Sequence, residues 1–179
     1  MNKLGWVVAF MGILAATMPV VFFAGKAIGQ PQPRPAELDL LNGFIGEWDG
    51  YFGGMDDPKA STVKTSSEWV LGNMFVQSKG TIRGNDESHS MILWTYDVQK
   101  KVYRRWFYFS SGATLEEIGY YDAASKTFHF HNANPEGFNG LQSTSTVKVE
   151  SDDAKSWTME FSSSKRPPVK VMGTATRRK

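Results

Sequence analysis

From residue 46 onward, β-branched, aromatic and aliphatic residues gather in short runs separated by clusters of glycine, asparagine, aspartate and serine. Such punctuation at roughly ten-residue intervals is the pattern of antiparallel strands joined by tight turns. Ten strands are predicted, over residues 46–53, 62–71, 74–82, 88–97, 101–110, 114–121, 127–132, 143–150, 156–163 and 169–176. Leu71-Gly72-Asn73, Arg83-Gly84-Asn85-Asp86, Ser111-Gly112 and Asp122-Ala123-Ala124-Ser125 supply the residue types that hairpin turns require. The stretch 133–141, with Pro135, Gly137 and Gly140, is too long for a tight hairpin and reads as a loop over one mouth. Ten short strands in meander order, with no helix between them, predict an all-β, antiparallel, up-and-down barrel, with a two-sheet sandwich as the alternative. Closure removes exposed sheet edges and leaves room for a small ligand.

Ahead of the strands, Leu40-Leu41-Asn42-Gly43-Phe44-Ile45-Gly46-Glu47-Trp48 reads as a short apolar helical turn running through glycines into the first strand. Gly46 lets the backbone turn, and Trp48 has enough area to plug one end of a barrel. Gly46 and Trp48 are therefore expected to be structural, with any ligand lying away from them.

The first 29 residues have another character. Lys3 precedes an apolar run over residues 4–25, interrupted only by Thr17 and Pro19. A positive start, an apolar stretch and the small residues Ala27 and Gly29 describe a signal peptide cleaved before Gln30. The run also matches the roughly 20 residues that span a bilayer, so a retained signal anchor is the other reading. Both place the remainder outside the cytoplasm, periplasmic or extracellular, with membrane contact only through residues 4–25. Gln30-Pro31-Gln32-Pro33-Arg34-Pro35 reads as an extended proline-rich linker (30–37), followed by the barrel domain over residues 38–179.

Charge changes the picture little. Lys3 and Lys26 are the only charged residues among the first 29, so the remainder carries 18 Lys+Arg against 18 Asp+Glu. A near-neutral domain argues against a nucleic-acid partner. The chain has no cysteine, which excludes disulfides, thiolate metal sites, a cysteine nucleophile and a lipidated-cysteine anchor.

Leu41 to Trp48, with its Gly46-Glu47-Trp48, resembles the opening of calycin-like barrels. The ordered set that follows is similar to the DUF1579 family: Leu71-Gly72-Asn73-Met74-Phe75, then Tyr96-Asp97, Tyr103-Arg104-Arg105-Trp106, Gly119 and Tyr121-Asp122. This resemblance, over roughly residues 38–178, implies a lipocalin-like barrel and no particular activity. Nitrobindin-like haem barrels also begin with Gly-x-Trp and ligate iron through a late histidine. Here no histidine follows His131.

Strand periodicity pairs side chains for candidate chemistry. Arg104, Trp106 and Tyr108 share one face of their strand, and Tyr103, Arg105, Phe107 and Phe109 share the other. Both faces are mixed, so periodicity alone does not decide which turns inward. An inward Arg104 beside aromatics would anchor a polar head group, and Glu116 is its potential partner or an ion-pair mate. His129 and His131 share a face. With Glu136 they resemble the His-x-His-x4-Glu of cupins, but the glycine before and the third histidine after are missing. No metal, cofactor or catalytic residue is assigned. There is no Gly-x-Ser-x-Gly elbow and no glycine-rich phosphate loop. Arg177-Arg178-Lys179 either close over Trp48 by stacking or fray.

The expected function is binding of a small, largely apolar molecule with a polar end in the lumen, at Arg104, Trp106, Tyr108, Glu116, His129 and His131. An enzyme using the same pocket, and an envelope module whose barrel is packed solid, are the alternatives.

Overall fold

Ten antiparallel strands follow one another around a closed barrel, and the first pairs with the last. They are β1 (Gly46–Gly54), β2 (Ser61–Val70), β3 (Phe75–Arg83), β4 (Glu87–Asp97) and β5 (Val102–Phe109), then β6 (Thr114–Asp122), β7 (Thr127–Asn132), β8 (Gln142–Ser151), β9 (Ala154–Ser163) and β10 (Arg166–Arg177). The computed structural model describes residues 33–134, 140–164 and 166–179, without the side chain of Arg166. The predicted signal or anchor segment 1–29, linker residues 30–32 and residues 135–139 of the 133–141 loop, Glu136 among them, lie outside the described residues. Among the described residues no helix is long and apolar enough to cross a membrane.

Every strand pairs with its sequence neighbours, and Trp48↔Arg177 through Gly54↔Val171 close the ring. The closed form, rather than the sandwich, follows from that last pairing, which leaves no edge exposed. The β2–β3 turn places Leu71, Gly72 and Asn73 in succession at positive φ (51°, 67°, 63°), a conformation that glycine and asparagine tolerate.

A 3-10 helix, Ala36–Phe44, seals one end. Leu38, Leu41 and Phe44 on that helix are buried, each contributing about 1.5–3 kcal/mol. They pack with Trp94, Tyr103, Phe128, Phe130 and Val147 from the barrel wall. Phe44 stacks on Trp94 with centroids 4.8 Å apart. The Tyr103 hydroxyl donates to Glu37 O at 2.9 Å, tying helix to wall.

Trp48 is 1% exposed, and its indole N–H donates to Phe44 O at 2.8 Å. Gly46 sits at φ 112°, and a Cβ there would approach the Arg177 guanidinium within 2.6 Å. Arg177 lies over the Trp48 ring at 4.4 Å and donates to the carbonyls of Ile45 and Asp152. The C-terminal arginine thus closes over the indole, and the preceding glycine leaves it room.

Candidate functional site

Alternation along each strand divides the wall into lumen and exterior. Phe107 and Phe109 of β5, Ile92 and Trp94 of β4, Trp157, Met159 and Phe161 of β9, and Val171 and Ala175 of β10 line an interior cavity of about 370 Å3. Ligand pockets run from roughly 300 to 1000 Å3, so this one suits a small molecule. At about 30 Å3 per water-sized group, it has room for roughly a dozen non-hydrogen atoms. The cavity runs from Phe44, Lys155 and Ala175 at the helix-sealed floor to Phe52, Ile82, Phe109 and Phe161 near the opposite rim. Trp157 lies flat against β10 because its neighbour there is Gly173, where a Cβ would meet the indole at 2.3 Å.

Among the described residues, two cations and no carboxylate line the cavity. The first is Arg105, whose guanidinium packs over Phe130 (4.1 Å), Trp94 (4.8 Å) and Phe107 (4.8 Å). Directly opposite in the β5–β6 register stands Glu117, fully buried on the same inward face. Arg105 Nε donates to Glu117 Oε2 at 2.6 Å, and Arg105 Nη2 donates to Ser145 Oγ. Ser143 and Ser145 donate to the same carboxylate at 3.0 and 3.1 Å, and Asn132 accepts from Ser143. Burial pulls the Arg105 pKa down and Glu117 opposes that pull. The guanidinium stays protonated because its ordinary value is so high. This is a neutralised, hydrogen-bonded pair, the condition on which buried charges persist.

The second cation is Lys155, the second residue of β9. Its Nζ lies 3.8 Å from the Trp48 ring centroid and 5.1 Å from that of Phe44. Among the described residues no carboxylate pairs with it and no hydrogen bond holds its amine. Burial, and then the charge of Arg177, lower its pKa from 10.5 to about 7. The floor therefore presents an amine that is about half neutral near pH 7.

The residues expected in the lumen stand elsewhere. Arg104, Trp106, Tyr108, Glu116, His129 and His131 occupy the parity opposite to the lining residues, so all six lie on the outer face, which corrects their lumen placement. The structure brings Arg104, Trp106 and Glu116 together. Arg104 bonds Glu116 and Asp97, packs 5.0 Å over the Trp106 ring, and its pKa is raised chiefly by Glu116. Tyr108 is 38% exposed further along the same face. His129 stacks on Tyr120 at 5.1 Å, and both histidines line a shallow outer groove with Thr144, Glu160 and Lys170. Among the described residues no three His, Cys, Asp or Glu side chains gather as a metal site would need.

A signal for the correct parity is present in β7. Phe128 and Phe130 share one face against His129 and His131 on the other, and the phenylalanines are buried. Residues directly opposed across a ladder share a face. Phe130 opposes Gly119, and two residues back from Gly119 stands Glu117, which opposes Arg105. Carrying the apolar side of β7 through two hairpins therefore points Glu117 and Arg105 inward. Lys155 lies one residue outside the predicted ninth strand, on the parity of Trp157, Met159 and Phe161.

The sequence profile of DUF1579, described as a protein of unknown function, matches residues 33–178. No curated protein matches the sequence significantly. Among solved structures, an S-type phycobiliprotein lyase from Guillardia theta is similar, with a TM-score of 0.52 and 10% identity over 83% of this chain and 99% of that one. A protein of unknown function from the DUF3598 family of Nostoc punctiforme aligns over 80% of this chain and 100% of its own, at 7% identity and a TM-score of 0.26. The lyase likeness is one of fold.

Proposed function

The chain belongs to the DUF1579 family, and we propose that its barrel binds a small, largely apolar molecule in the lumen, with the polar end of that molecule at the floor beside Lys155. The observation that carries this reading is the cavity itself: about 370 Å3, walled by aromatic and aliphatic side chains. A barrel evolved only for stability would fill such a space, because every unfilled volume forfeits packing energy. The polar groups that remain at the cavity are few and localised, which is the usual composition of a small-molecule pocket. Arg105 is already neutralised by Glu117, so Lys155 is the charged group left to a ligand. The fold shared with a phycobiliprotein lyase is compatible with small-molecule binding. The apolar run over residues 4–25 supports an exported protein, cleaved or anchored.

Calorimetric titration with 1-decanol, whose size matches the cavity, tests the reading. Saturable binding is expected, and Ser90→Phe, which puts a ring into the lumen, abolishes it. Absence of binding, or binding that Ser90→Phe leaves unchanged, contradicts it.

A further inference from the structure

We propose that Lys155 is a nucleophilic amine that captures an apolar aldehyde in the lumen as an imine; this rests on the reading of the lumen as a ligand site. The geometry supplies three conditions. First, the amine faces a cavity that no carboxylate lines among the described residues. A lysine held only for structure would be expected to meet an acidic partner there, as Arg105 does in Glu117. Second, Nζ is packed against the rings of Trp48 and Phe44. These faces hold the amine without consuming its lone pair. Arg177, over the same indole, places a second positive charge nearby and disfavours protonation. Third, the floor is sealed by the 3-10 helix, so a chain entering from the rim meets Lys155 with its leading end. From Lys155 to Phe161 β9 spans about 20 Å of strand, along which Trp157 and Met159 line the path of an alkyl tail.

The chemistry balances without a cofactor. The neutral amine attacks the carbonyl carbon, forming the C–N bond and a carbinolamine. Loss of the former carbonyl oxygen as water, with both amine protons, gives the C=N bond. No oxidant or reductant is needed. Burial gives the amine its reactivity: at pH 7 about half of Lys155 is neutral, against roughly one in 3,000 for an ordinary lysine.

The test is reductive trapping on the full chain. Protein is incubated with decanal at neutral pH, sodium cyanoborohydride is added, and peptides are mapped by mass spectrometry. A single decyl group at Lys155 is expected, forming at least tenfold faster than on the exposed Lys79 and Lys101. Lys155→Arg, which keeps a cation on the floor but offers no nucleophilic amine, should lose the adduct. Ser90→Phe should lose both the adduct and the binding of 1-decanol. Labelling of Lys155 no faster than of surface lysines, with decanol still bound, overturns the covalent proposal and leaves the binding reading standing. The same holds if decanoate binds in a Lys155-dependent way while decanal is never trapped, which would make the residue an anion anchor. Failure of decanol to bind removes the lumen site itself.

Discussion

The lumen holds two cations under contrasting conditions. On the wall, Arg105 is locked to a fully buried Glu117, with Ser143, Ser145 and Asn132 completing the network. On the floor, Lys155 rests on aromatic rings with no counter-charge among the described residues. The wall site spends its charge internally and needs nothing from a ligand. The floor site leaves its charge, or its lone pair, unsatisfied. A small barrel thus separates a group that specifies structure from a group available for binding, although both face the same cavity.

The strongest way to break the contrast is at the wall. Glu117→Ala leaves Arg105 buried without its partner and should lower stability by about 3–5 kcal/mol, measured by urea unfolding. Next comes the pH dependence of the floor. The folded pKa of Lys155, about 7, lies below the unfolded value near 10.5, so between them the unfolded chain binds the additional proton. Stability should therefore rise with pH across this window, by about 2 kcal/mol between roughly pH 7.5 and 9.5. In Lys155→Met that rise disappears, and the variant is more stable than the parent near neutrality.

Smaller effects are expected outside the lumen. Arg104 and Glu116 form the exterior counterpart of the Arg105–Glu117 pair on the same hairpin, but their side chains are 27% and 31% exposed. Solvent screens such pairs, so Arg104→Ala should cost no more than about 1 kcal/mol. The smallest effect is predicted for the outer groove: His129→Ala and His131→Ala should leave decanol affinity unchanged in the calorimeter.

Much of the architecture is legible in the sequence, and the reasons are local. β9 alternates Trp157, Met159 and Phe161 with Ser156, Thr158 and Glu160, a period that states both strand and orientation. The Leu71-Gly72-Asn73 turn announces its hairpin through backbone chemistry alone. The candidate site was less legible because β5 carries an arginine and aromatics on each face. Its orientation is decided by neighbours two strands away, whose buried Phe128 and Phe130 fix the parity of the whole segment. Lys155 is hidden in the sequence for a different reason. It sits at the strand's beginning, where a turn and a strand have similar composition, and an isolated lysine there looks solvated. Only barrel closure and the helix-sealed floor place it against Trp48. The indole expected to serve architecture alone therefore also forms the seat of the floor amine.

The most direct test of ligand binding at the floor follows two labelled groups by NMR during titration with 1-decanol: the Met159 methyl in the cavity and the Lys155 ε-methylene at its base. Both signals should shift saturably and with the same midpoint, while the His129 ring signals stay fixed. Movement of the histidine signals with Met159 and Lys155 unmoved would contradict the account and return the ligand to the outer face.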